Sequence, residues 1–171
     1  MTKLTLTHVN QCSDEVFIEQ LGAIYEHSSW VAKQVKNHRP FSSVTDLHLT
    51  MREAVGEAAD QDKLHLLCAH PNLGEKIQMT DSSKQEQSQA GLTQLTAEEY
   101  EQFSTLNKQY MDRFKFPFII AVKGKQKDEI YEQMNNRIHN SKDVEFHTAL
   151  KEVDQIALLR LLDLIEEHEK S

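Results

Sequence analysis

The chain has 171 residues, long enough to bury one core without disulfide or metal staples. It carries only five Gly and three Pro, against roughly 12% of this pair in an average chain. That scarcity argues against turn-dense sandwiches, propellers and disulfide scaffolds, and a net charge of −8 argues against nucleic acid as a partner.

Met1–Asn10 lacks an apolar h-region, and the final His168-Glu169-Lys170-Ser171 carries no peroxisomal or retention tripeptide. Cys12 and Cys68 lie far apart and in no metal spacing. These features lead us to expect a reducing, cytoplasmic setting with no disulfide. No apolar run approaches the ~20 residues of a membrane span.

The first strong helix is expected over Asp14–Asn37, with Phe17, Leu21, Ile24, Val31 and Val35 on one face. A second covers Val44–Ala59, and Asp62–Ala69 is a short apolar turn or helix stopped by Pro71. Met79–Thr96 is polar and rich in Gln and Ser. Thr96-Ala97-Glu98-Glu99 then reads as a capping box, opening a helix with Tyr100, Phe103, Leu106 or Asn107, Tyr110 and Phe114 on one side. Phe116–Val122 is the one strand-like run. A lone strand has no partner, so it is expected as a buried extended segment or a helix start. Lys127–Asn140 and Asp143–Glu167 complete the helices. The sum is an all-α, single-domain bundle of about six to eight helices spanning residues 1–171.

Three places break the amphipathic pattern. Arg160 follows Val153, Ile156 and Ala157 on an apolar stripe, where a guanidinium needs a partner. It is either a structural ion-pair member or a clamp for a ligand carboxylate or carbonyl. Ser83, Glu86, Gln87 and Ala90 share one helical face at i, i+3, i+4 and i+7. That face is either a solvated surface or a polar wall for a hydrogen-bond-rich small molecule. His70 precedes Pro71, which pushes it out of the helical region at the end of an apolar segment. It is either a histidine satisfied by a carbonyl or a group whose titration the site exploits. The nine His residues also raise metal binding, with His65, Cys68 and His70 as the candidate ligands. Their spacing matches no standard zinc site, and there is no His-Glu-x-x-His. Phosphate-binding glycine loops and Gly-x-Ser-x-Gly are absent as well.

Four segments in order resemble one family. They are Ala69-His70-Pro71-x-Leu73; Ser83-x-x-Glu86-Gln87-x-x-Ala90-Gly91-Leu92; Phe116-Pro117-Phe118-Ile119; and Glu145-Phe146-x-x-Ala149-Leu150-x-Glu152 with Arg160-Leu161. The chain is similar to the OHCU decarboxylases, which convert 2-oxo-4-hydroxy-4-carboxy-5-ureidoimidazoline to (S)-allantoin after urate oxidase and hydroxyisourate hydrolase have acted. The resemblance implies an all-α homodimer with no metal and no organic cofactor. It implies His70 and Glu86 as catalytic residues. It further implies Pro71, Ser83, Gln87, the backbone of Phe118, Ile119, Ile120, Ala121 and Val122, and Arg160 as substrate-contacting positions. Relatives often have Asp after the His-Pro pair, where this chain has Asn72, and its stretch from His70 to Ser83 is short.

The implied chemistry needs no prosthetic electron sink. The carboxylated carbon of the ureidoimidazoline also bears a hydroxyl and adjoins an imine-like ring carbon. An enediol-like intermediate can therefore form, leaving the protein to position the substrate and deliver one proton stereospecifically. The alternatives carried from sequence are a non-catalytic all-α binding module and a zinc lyase.

Overall fold

A computed structural model of the chain describes residues 3–74 and 80–166. In chain order the elements are β1 (Leu4–Thr5), α1 (Leu6–Gln11), α2 (Asp14–Leu21), α3 (Trp30–Val35), a 3-10 turn at Lys36–His38, α4 (Val44–Glu57), α5 (Asp60–Cys68), α6 (Asp81–Gln89), α7 (Ala97–Phe114), α8 (Lys127–Arg137), α9 (Lys142–Leu164) and β2 (Ile165–Glu166). The architecture is all-α, with nine α-helices among the described residues where the periodicity suggests six to eight. The exception is a two-residue parallel pairing, Leu4 with Ile165 and Thr5 with Glu166. Glu167, expected as the end of the last helix, and Met79, at the head of the polar stretch, lie outside the described residues.

The chain forms two compact units. One contains the residues up to Leu66 together with those from Asp154 onward, and the other runs from Leu67 to Val153.

In the first unit, α3 packs along α4. The buried set includes Phe17, Leu21, Val31, Val35, Leu47, Met51 and, from α9, Ala157 and Leu161. Ser13 and Ser43 cap α2 and α4, their hydroxyls accepting from Val16 N–H at 3.2 Å and Asp46 N–H at 3.0 Å. The continuous helix expected over Asp14–Asn37 is broken between Leu21 and Trp30. His27 takes a left-handed φ of 48°, and Ser28 N–H turns back to the Tyr25 carbonyl at 3.0 Å. The break serves two buried polar groups. Tyr25 donates its hydroxyl to Asp154 Oδ1 at 2.7 Å, and the Glu26 carboxylate meets Arg160. Pairing these groups outweighs one more turn of helix.

In the second unit, the capping box at Thr96 is complete. Its hydroxyl accepts from Glu99 N–H at 3.1 Å, and Glu99 Oε1 accepts from Thr96 N–H at 2.9 Å. The same Glu99 oxygen receives Lys127 Nζ at 2.8 Å, which holds the Glu99 carboxyl below the usual carboxylate range. The inward stripe of α7 begins at Phe103, because Tyr100 is 39% exposed. After α7 ends at a left-handed Lys115, Phe116–Val122 runs without helix or strand and is buried throughout. Its rings pack edge-on to Tyr110, Phe118 at 5.4 Å and Phe116 at 5.9 Å between centroids. Of the two expectations for this run, the buried extended segment is the one found.

Candidate active site

The apolar end of α5 delivers His70. Leu67 is buried, and its carbonyl accepts from His70 N–H at 3.2 Å. Pro71 then carries the chain into a turn at Leu73 and Gly74. His70 itself is buried.

Helix α6 follows, capped by the Thr80 hydroxyl, which accepts from Ser83 N–H at 3.2 Å. Ser83, Gln87 and Ala90 are buried and Glu86 is half-buried. The polar face inferred from spacing is therefore an inward face, not a solvated one. Gln87 Oε1 accepts from Gly74 N–H at 3.0 Å, which joins α6 to the turn after His70. Asn72 is half-buried. The middle of the short His70–Ser83 stretch, residues 75–79, lies outside the described residues.

The Phe118–Val122 backbone is held by charged side chains. Arg137 Nη1 donates to the Ile119 carbonyl at 2.8 Å, and Ala121 N–H donates to Glu152 Oε1 at 3.1 Å. Lys125 closes the far end, its Nζ donating to the Ala121 carbonyl at 3.0 Å and its N–H to the Val122 carbonyl at 2.9 Å. Arg137 also lies over the Phe118 ring, 4.4 Å from its centroid. Behind it sits Glu145, which is 0% exposed. Its carboxylate receives Arg137 Nη2 at 2.8 Å, Asn140 Nδ2 at 3.2 Å and the Tyr110 hydroxyl. Burial first, then the bond to Glu145, push the Tyr110 hydroxyl far above its ordinary pKa, so it remains a donor. Arg137 and Glu145 thus brace this segment. The motif around Glu145 contained the carboxylate, but nothing in the spacing announced its partner.

Arg160 belongs to the first unit and the other candidate residues to the second. It is 6% exposed beside a Glu26 carboxylate that is 0% exposed. Arg160 Nη1 lies 3.5 Å from Glu26 Oε1 and donates to the Ile24 carbonyl at 3.3 Å. The partner demanded by its place on the apolar stripe is thus Glu26, 134 positions away in sequence. No short-range signal marks that residue.

Among the described residues, no group of three or more His, Cys, Asp or Glu side chains gathers as a metal-binding set. His65, Cys68 and His70 do not form the zinc triad weighed from sequence.

This all-α chain thus turns inward a buried imidazole on a proline turn, a helix face carrying Ser, Glu and Gln, and a braced backbone segment. The OHCU decarboxylase family model matches residues 10–162. The chain is 47% identical over 163 residues to the 2-oxo-4-hydroxy-4-carboxy-5-ureidoimidazoline decarboxylase of Haloferax volcanii, covering 95% of this chain and 97% of that one. It is 45% identical to the uric acid degradation bifunctional protein PucL of Bacillus subtilis, covering 95% of this chain and 33% of that one. A solved structure of OHCU decarboxylase in the presence of (S)-allantoin superposes with a TM-score of 0.72 at 27% identity, covering 90% of this chain and 98% of that one. The chain belongs to the OHCU decarboxylase family and is a decarboxylase.

Proposed function

We propose that this chain releases CO2 from 2-oxo-4-hydroxy-4-carboxy-5-ureidoimidazoline and gives (S)-allantoin. The observation that carries the reading is the junction of the His70 turn and the α6 face through Gln87 Oε1 and Gly74 N–H. It supports the reading because it joins the turn that carries His70 to the helix that carries Glu86, the two residues the resemblance implies as catalytic. The (S)-allantoin present with the similar solved structure supports the product.

The bond from C4 to its carboxylate breaks, CO2 departs, and the electron pair forms a C4–C5 double bond as the ring imine nitrogen gains a proton. Protonation of C5 and loss of the C4 hydroxyl proton then give the product. His70 is the proton carrier, because imidazole changes charge near working pH. Glu86 orients it and stabilises its charged form. Gln87 and Arg160 hold ring or ureido carbonyls, and Pro71, Ser83 and the backbone of Phe118–Val122 hold the remaining polar edge. The substrate supplies its own electron sink, so the reading includes no metal and no organic cofactor.

The 171 residues act as one OHCU decarboxylase-like domain, as a cytoplasmic homodimer, on the product of hydroxyisourate hydrolase downstream of urate oxidase. The similarity to a bifunctional uric acid degradation protein supports that placement. No described helix is long and apolar enough to cross a membrane.

Because the substrate also decays in water, product chirality is the decisive readout. Urate is fed through urate oxidase and hydroxyisourate hydrolase with this protein present, and optical activity is followed. Native protein yields (S)-allantoin quickly. His70→Ala and Glu86→Gln yield slow, racemic product, and native rate with full (S) bias from either variant would sink the assignment.

A further inference from the structure

Asn107 lies on the inward face of α7, between Phe103 and Tyr110, and is 2% exposed. Its Nδ2 donates to the Leu73 carbonyl at 2.9 Å. Its Oδ1 is buried with no hydrogen-bond partner among the described residues. A buried amide with one half unpaired costs free energy that an apolar side chain of similar size does not. Packing alone does not call for such a residue at this position. What Asn107 adds is a grip on a peptide carbonyl three residues after His70.

That grip is one of several on the same turn. Gly74 has φ +78°, and a Cβ there would lie 2.9 Å from Leu95 Cδ1, so this conformation is reserved for glycine. Its N–H is held by Gln87. At the other end, His70 N–H is tied to Leu67, and Pro71 restricts the backbone between. The span from His70 to Gly74 is therefore fixed from α5, α6 and α7.

We infer that Asn107 is a positioning residue for His70: by holding the Leu73 carbonyl it sets the backbone from which the imidazole projects. The inference rests on the reading that His70 takes part in the reaction. Misplacing a reacting group by about 1 Å costs up to roughly 100-fold in rate. An effect of this kind falls mainly on kcat, because the proposed substrate contacts other than Pro71 lie outside this turn.

Two variants test it. Asn107→Leu removes the donor and fills the space. Asn107→Asp keeps the shape and sets a carboxylate oxygen against the Leu73 carbonyl. Each is compared with native protein and with His70→Asn for thermal melt, kcat, KM and the enantiomeric excess of allantoin. The expected result is a cooperative helical melt with kcat down roughly 10- to 100-fold, KM within about threefold, and reduced (S) bias. A folded variant with kcat within about twofold of native overturns the inference, as does a rise in KM alone. Loss of the melt in both variants also overturns it, since Asn107 is then only structural. If His70→Asn keeps native kcat, the parent reading fails. If His70→Asn is inactive while the Asn107 variants match native protein, only this inference fails.

Discussion

Replacing Arg137 with Met isolates the electrostatics that hold the buried backbone segment. The substitution leaves the Glu145 carboxylate at 0% exposure with Tyr110 and Asn140 as its remaining donors. It also strips the Ile119 carbonyl of the Arg137 bond at 2.8 Å. Breaking one side of a buried pair costs about 3–5 kcal/mol. At about 2–4 °C per kcal/mol for a chain of this size, Arg137→Met lowers Tm by roughly 6–20 °C. The same change lowers kcat/KM at temperatures where the variant is folded, because Ile119 sits in the segment proposed to line the substrate. The measurement is a circular dichroism melt paired with CO2 release. A double variant, Arg137→Met with Glu145→Leu, removes both charges and regains part of the lost Tm. The argument is refuted if Arg137→Met melts within about 2 °C of native protein. It is refuted equally if the double variant is as unstable as the sum of the two singles.

Three further outcomes follow from groups elsewhere. Thr96→Ala removes half of the capping box and costs about 1 kcal/mol, or roughly 2–4 °C in Tm, and Thr96→Ser restores it. Glu26→Gln removes the carboxylate charge from Arg160. At the long separation of 3.5 Å the loss sits at the low end for a charge-assisted bond, about 1.5 kcal/mol, or roughly 3–6 °C, and KM rises if Arg160 binds substrate. Burial pushes the Asp154 carboxyl up, against the opposing Tyr25 hydrogen bond and the His48 and Arg52 charges. The native state therefore binds more protons than the unfolded chain just above the ordinary Asp value of about 3.9, and Asp154 costs stability as pH rises through that window. Asn at 154 keeps an acceptor for Tyr25, so the Tm of Asp154→Asn improves relative to native protein as pH is raised from about 4 to 7. A pH-independent difference would contradict this.

What could be read from sequence was what depends on neighbours three or four residues away. The capping box at Thr96, the shared face of Ser83 and Gln87, and the apolar stripe of α9 are of this kind. Arg160 could be recognised as needing a partner, yet Glu26 could not be named, because the pairing is tertiary. The break after Leu21 has no local signal for the same reason: the helix stops so that Tyr25 and Glu26 can meet Asp154 and Arg160. Asn107 was ambiguous with Leu106 because both fit the period, and only the Leu73 carbonyl explains a polar side chain there. Arg137 carried no signal, since its acceptors lie on Ile119 and Glu145.

The parallel pairing of Leu4–Thr5 with Ile165–Glu166 has a kinetic consequence. Lys3 Nζ reinforces it by donating to the Leu162 carbonyl at 3.3 Å, across 159 positions of sequence. Closing so long a loop carries an entropic cost on the order of 4–5 kcal/mol from chain length alone, and two residue pairs return little toward it. The seam therefore closes after the helices between its strands have formed, and it is among the first parts to open. Its two edges must exchange their amide hydrogens together, so pulling on either one unfastens both.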